Sequence, residues 1–307
     1  MKTSKILVLM AVLFALTALL CLSSCEGEKI DMSTPSEGLK FEANSDGTYY
    51  VSGIGACTDE VIVIPETTAT GKSITGIGYR AFADNSKIKA VAIPSSVKTI
   101  GNEAFDNCDE LTVVEIANGT QTIEEEAFAH CEKIKKVELP DSVKKIGKGA
   151  FWLCKGLESV SIPDGLEELG NYAFSSCHSL KMEKYNGAYY IGSSYNPYLI
   201  LLKAVNQDID FCQINDSTKF VHSEAFEECG KLTSITIPSG VVKIGGGAFY
   251  RCSSLSAVEF VITDGWTCYD FHATGDIKNV SKESMADADD AARYLTNMLL
   301  PKYLTRE

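Results

Sequence analysis

The chain has 307 residues, with 28 basic against 41 acidic side chains and a formal net charge of −13. A surface this acidic repels phosphate backbones and anionic lipid, and no basic cluster with interleaved aromatics offsets it. Nucleic acid is therefore excluded as a partner class.

The N-terminus carries Lys2 and Lys5, an apolar run of 17 residues from Ile6 to Leu22, and then Leu22-Ser23-Ser24-Cys25. Basic, apolar and small-residue regions in this order read as a signal peptide. The last four residues resemble a lipobox, in which Cys25 is acylated and becomes the mature N-terminus. An uncleaved membrane helix is the alternative, because the run reaches the short limit of the ~17–25 residues that span a bilayer. Residues 1–24 are thus expected to be removed, and residues 25–38 to form the acylated cysteine and a tether. The chain is expected to be exported and held in the outer membrane by its lipid, at the cell surface. The stretch from Glu26 to Asp31 weakly resembles the surface-export signal of lipoproteins of the Bacteroides group. Loss of residues 1–24 leaves 26 basic and 41 acidic side chains, near −15.

Residues 39–64 read as β-strands that form an N-terminal cap. Asn44, Asp46 and Gly47 hint at a calcium loop, but Gly53 stands where the bidentate Glu belongs, so a hairpin turn is the better reading. Gly71-Lys72-Ser73 matches the tail of a phosphate loop, yet Glu66 occupies the place of its first glycine.

From residue 65 to 263 the sequence repeats. Phe82, Phe105, Phe128, Phe151 and Phe174 stand 23 residues apart, and Phe226 and Phe249 resume the step after a gap of 52. A fixed period of this length marks a solenoid. In each copy the residues before the proline alternate as a half-buried strand does, and Pro94, Pro140, Pro163 and Pro238 close the strand. Gly78, Gly101, Gly147, Gly170 and Gly245 are read as turn positions where a positive φ costs little. One copy departs, with Ala117 in the proline column, Thr120 in the valine column and Glu124 for glycine.

Six cysteines, Cys108, Cys131, Cys154, Cys177, Cys229 and Cys252, sit three residues after a repeat Phe. Stacked copies would place them about one strand spacing apart with parallel side chains, and buried free cysteine behaves as a small hydrophobe. Unbridged core thiols are expected. A ladder in a line does not converge on a point, so no metal is expected from it, and nothing in the chain calls for a cofactor.

The wide gap holds 29 residues beyond one normal step. Within an irregular turn at about 181–220, residues 188–205 alternate on either side of Ser194–Pro197 and read as a hairpin. Ile214 and Val221 then recover the repeat columns. Tyr189, Tyr190, Tyr195 and Tyr198 form a candidate aromatic patch, which either anchors a ligand or packs the longer turn. Residues 264–307 read as a second cap. Ala288, Ala291, Ala292, Leu295, Met298 and Leu299 follow helical spacing, and Pro301 ends it.

The pattern I-x-I-P-x-x-V-x-x-I-G-x-x-A-F-x-x-C-x-x-L resembles that of the BspA-like leucine-rich repeat proteins. The opening "GLKFEANSDGTYYVSGIG" and the closing "DADDAARYLTNMLLPKYL" are similar to that family's end segments. The resemblance implies a β-rich solenoid of 23-residue leucine-rich repeats with an N-terminal β cap and a C-terminal helical cap. It also implies non-catalytic adhesion or protein binding, with extracellular or host protein, or glycan, as partner. Residues 8 and 10 after each Phe point outward from the strands. They make Glu115, Lys136, Glu138, Ser159, Ser161, Ser234 and Thr236 the candidate binding face. Two other readings stand beside this one: a passive surface scaffold, and a glycan-directed enzyme at the tyrosine-rich hairpin. The latter would pair Glu183 with Asp208 or Asp210 at the roughly 5–10 Å that glycosidases use.

Overall fold

The chain begins its regular structure with an antiparallel pair, β1 (Lys40–Ala43) and β2 (Tyr49–Gly53), in a computed structural model that describes residues 30, 31, 33–269, 278–279, 286–296 and 303–306. Residues 1–24, read above as a signal peptide, and Cys25 lie outside the described residues, as do Met298, Leu299 and Pro301. Pro35–Glu307 forms one unit. In the other unit, Met1–Thr34, Ser33 N donates to Asp31 Oδ1 at 2.9 Å. The Asn44–Gly47 stretch is indeed the hairpin turn, with Gly47 N donating to Asn44 O and φ +83° at the glycine.

Each copy of the repeat then lays down three layers. The long strands β3 (Val61–Val63), β5 (Ala90–Ile93), β7 (Val113–Ile116), β9 (Lys136–Glu138) and β11 (Ser159–Ser161) pair side by side, all parallel. Val91, Val114 and Val137 point into the core, as alternation requires. Each proline carbonyl accepts the amide three residues on, so Pro94, Pro140 and Pro163 open a turn that drops Val97, Val143 and Leu166 into the core.

A second parallel sheet, which the sequence pattern does not signal, comes after that turn. It orders β2, β4 (Ile74–Ile77), β6 (Thr99–Ile100), β8 (Thr122–Ile123), β10 (Lys145–Ile146) and β12 (Glu168–Leu169). Two-residue strands are too short for the period-2 signal to show. The divergent copy packs regularly: Thr120 is fully buried and donates Oγ1 to Val97 O at 3.1 Å.

The Ala-Phe segment forms the third layer, a ribbon of consecutive turns. In the copy around Phe105, the amides of Glu103, Phe105 and Asn107 donate to Glu125, Ala127 and Ala129 of the next copy, while Ala104 and Asp106 donate within their own turn. The amides of the ribbon are thus satisfied, as burial requires. The Phe rings stack at 4.9, 5.1, 5.5 and 5.4 Å from Phe82 through Phe174.

The glycine reading is corrected here. Positive φ falls instead two residues before and after each Phe, on Glu103, Asn107, Glu126, His130, Tyr172 and Ser176 among others. Gly101, Gly147 and Gly170 are required by close approach. A Cβ would lie 2.6 Å from Ile77 O at Gly101 and 2.1 Å from Lys148 N at Gly170.

After β12 the stack is interrupted. β13 (Glu183–Tyr185), β14 (Ala188–Ile191) and β15 (Ile200–Ala204) form an antiparallel meander, and β15 then pairs parallel with β16 (Phe220–Val221). The expected hairpin is present, and it acts as a partition. Ile191, Ile200 and Leu202 join the core on one side, while Tyr190 and Leu201 join the core on the other. Beyond it come β17 (Ser234–Ile237), β18 (Lys243–Ile244) and β19 (Ala257–Phe260).

The C-terminal cap is mixed rather than helical. β20 (Trp266–Tyr269) and β21 (Lys278–Asn279) pair antiparallel, a short helix α1 (Ala288–Thr296) comes next, and β22 (Tyr303–Arg306) closes the sheet against β18 and β20. Ala291, Ala292 and Leu295 of α1 are buried in the second core, the purpose the helical spacing implied for them.

Candidate binding surface on the strand face

The outward positions divide into two groups. Glu115 is half-buried in β7, Lys136 and Glu138 are exposed in β9 and pair at 2.6 Å, and Ser159 and Ser161 occupy β11. Ala90 and Ala92, also outward by alternation, are buried, each methyl lying between longer register partners in β3 and β7. Ser234 and Thr236 are exposed on β17, which pairs only with β19 among the described residues. Between β11 and β17 the face is broken, because β13 turns away to pair with β14 and residues 211–214 form no strand.

A cleft of about 610 Å³ fills that break. Phe211, Ile214 and Asp216 line one side, and Ser234, Thr236 and Glu259 the other. Its volume falls within the ~300–1,000 Å³ of ligand clefts. Phe211 and Val261, at 61% and 55% exposed, are apolar side chains left at its mouth. Phe211 was missed in the sequence, although the signal is there: Ile214 stands in the column eleven after Phe, and counting back three reaches an outward place.

The tyrosines do not form one patch. Tyr190 is buried and packs against Tyr185 and Tyr198 at 6.4 and 5.6 Å, and Tyr189 and Tyr198 are half-buried. Tyr195 alone is open, 92% exposed at the tip of the hairpin. Asp208, a candidate acid, is held below the usual carboxylate range by Lys231, 2.8 Å away, which is opposite to the raised value a general acid needs. Glu183 is exposed on β13.

A second cavity, of about 370 Å³, lies where the Phe stack is interrupted. Phe174 and Leu202 line it with His222, Glu224 and Glu227. Here side chains replace the missing copy: Ser223 Oγ accepts Tyr172 N, and His222 Nε2 accepts Phe174 N, both at 3.3 Å. Nδ1 then carries the proton and donates to Ser223 O at 3.0 Å. Burial pushes the His222 ring down to about 4, and burial followed by Glu224 and Glu227 pushes the Tyr172 hydroxyl up to about 12. Lys219 and Lys243 reach back to the carbonyls of Leu166 and Leu169, Lys243 at 2.5 Å, and Lys243 Nζ lies 4.3 Å from the centre of the Tyr303 ring. These residues seal the junction.

Among the described residues, no group of three or more His, Cys, Asp or Glu is placed to hold a metal ion. The thiol column has a different chemistry. Cys108, Cys131, Cys154, Cys177 and Cys252 are buried free thiols whose Sγ donate to the carbonyl of the preceding copy's Phe, at 3.0–3.2 Å.

Fold and surface together define a repeat scaffold: a β-solenoid of 23-residue leucine-rich units with both ends closed. The profile of the BspA type leucine-rich repeat region matches residues 66–195 and 205–281, in 6 copies. The chain belongs to this family. A leucine-rich repeat protein of T. pallidum is 22% identical over 72% of this chain and 90% of its own, with a TM-score of 0.49. One from Bacteroides ovatus is 25% identical over 76% and 71%, with a TM-score of 0.42. One from Bacteroides capillosus is 28% identical over 42% and 97%, at 0.37. No curated protein matches the chain.

Proposed function

We propose that this is an exported lipoprotein, anchored through Cys25, that uses its strand face to bind proteins at the outer-membrane surface. The cleft beside Ser234 and Thr236 carries the reading, because it joins exposed apolar side chains to a rim of polar groups, as binding surfaces do. Family membership supports a repeat scaffold, and the basic, apolar and small-residue order of the N-terminus supports export. Adhesion through a preformed face needs no catalytic group, and Asp208 at the hairpin has the wrong electrostatics for an acid.

The chain is to be screened against extracellular-matrix proteins, mucins and glycans. Saturable binding is expected, weakened by the strand-face pair Lys136→Glu and Ser159→Arg or by Phe211→Asp. Absence of binding throughout would favour a passive coat. Globomycin should block maturation at Cys25, and a mature chain retaining Met1 would end the lipoprotein reading.

A further inference from the structure

Resting on that protein-binding reading, the mode of binding can be specified from the backbone. In a parallel stack, alternate residues turn their N–H and C=O toward the preceding strand. In β5 these are Ala90 and Ala92: Ala90 N donates to Glu60 O at 3.3 Å, and Ala92 O accepts Ile64 N at 3.1 Å. Ala257 of β19 does the same, donating to Thr233 O at 3.3 Å. The equivalent residues of β17 are Ser234 and Thr236. The strip that should pair with them, residues 211–214, does not: Gln213 N is drawn away to Asn186 O at 3.1 Å. Among the described residues, β17 has β19 as its one partner, and the edge groups of Ser234 and Thr236 have no backbone partner.

This edge opens onto the 610 Å³ cleft. An unpaired, accessible sheet edge is a template for an added strand. The cleft's charge selects the strand's chemistry. Its lining holds two acidic side chains, Asp216 and Glu259, and no basic one. Phe211 and Val261 add apolar contact at its mouth. We propose that the free edge of β17, at Ser234 and Thr236, takes up an extended segment of a partner protein in which basic and β-branched residues alternate. The main chain supplies affinity through this edge, and the basic side chains answer Asp216 and Glu259.

The test uses the full chain and a fluorescent hexapeptide, acetyl-Thr-Lys-Val-Lys-Val-Thr-amide. Two further probes are the same peptide N-methylated at alternate residues in either register, and a fourth replaces both lysines by glutamates. Binding is read by anisotropy. The unmodified peptide is expected to bind, one N-methyl register and the glutamate peptide at least tenfold more weakly. Thr236→Pro deletes the edge amide without breaking a bond to β19, and proline is tolerated on an edge strand. It should weaken binding at least tenfold, and more than Thr236→Ala, which removes the side chain but keeps the amide. Equal binding of both N-methylated peptides overturns strand addition even if the proline variant fails to fold. So does the absence of binding by every probe. Either result leaves the protein-binding reading to the array of matrix proteins, mucins and glycans. If whole proteins bind there, sensitive to Lys136→Glu and Ser159→Arg but not to Thr236→Pro, the surface stands and the edge does not.

Discussion

At Gly147 an added Cβ would lie 2.4 Å from the carbonyl carbon of Glu124, whereas two residues before Phe128 the backbone of Glu126 already sits at φ +55°. The two positions therefore respond oppositely to substitution. Gly147→Ala overpacks a backbone contact and should cost about 1–3 kcal/mol. Glu126→Gly relieves a left-handed residue worth ~1–2 kcal/mol against ~0.4–1 kcal/mol of added unfolded-chain entropy, and should be stabilising by up to about 1.5 kcal/mol. Gly149 and Gly247 already take this choice in two copies. Denaturant unfolding of both variants checks the signs. The cysteines make a second residue-scale case. Burial drives the thiols of Cys177 and Cys252 up to about 12, and each donates to a carbonyl, so the reactive thiolate is suppressed. Among the nine described thiols, Cys57 alone is not buried. Brief iodoacetamide treatment of native protein should label Cys57 in this set and spare the column, and denaturation should expose all nine.

At the scale of elements, the junction after β12 depends on one neutral imidazole. His222 must accept the Phe174 amide, and a protonated ring cannot. Its value is about 4 when folded against 6.5 as the ordinary value, so the unfolded chain binds the proton first as pH falls. The stability tied to His222 is complete above pH 6.5, declines down to about pH 4 and then levels, a change of about 3 kcal/mol at ~1.4 kcal/mol per pH unit. Thermal unfolding should show this slope in the native chain and lose it in His222→Gln. The ladder of ions between copies is a weaker element. Lys133–Glu110, Lys148–Glu125, Lys155–Glu132 and Arg251–Glu228 each link residues 23 apart. Exposed pairs contribute ~0–1 kcal/mol each, so they favour register more than stability.

For the whole molecule, the β14–β15 partition separates two cores, and stability in a solenoid passes from neighbour to neighbour. Phe249→Ala removes the ring stacked at 5.1 Å on Phe226 and should cost about 3–5 kcal/mol. Hydrogen exchange should then quicken in β16, β17, β18 and β19 while β5, β7 and β9 keep their protection. Uniform quickening would show that the partition does not divide the molecule energetically.

The sequence by itself determined the period, the inward columns and the strand-ending prolines, because each copy buries its apolar face on an identical neighbour and so must repeat its spacing; the hairpin and the N-terminal β cap were legible from alternation and turn residues, whereas the strands of the C-terminal cap were not. It also placed Ser234 and Thr236 outward. What only the tertiary structure decided lies where two segments distant in the chain meet. The need for Gly147 comes from the backbone of Glu124, one copy away. The two sides of the hairpin face different cores, which alternation cannot distinguish. His222 completes a turn 48 residues upstream. The cleft exists because residues 211–214 keep their buried column yet withhold their hydrogen bonds from β17, and side-chain periodicity records burial, not which backbone groups find partners.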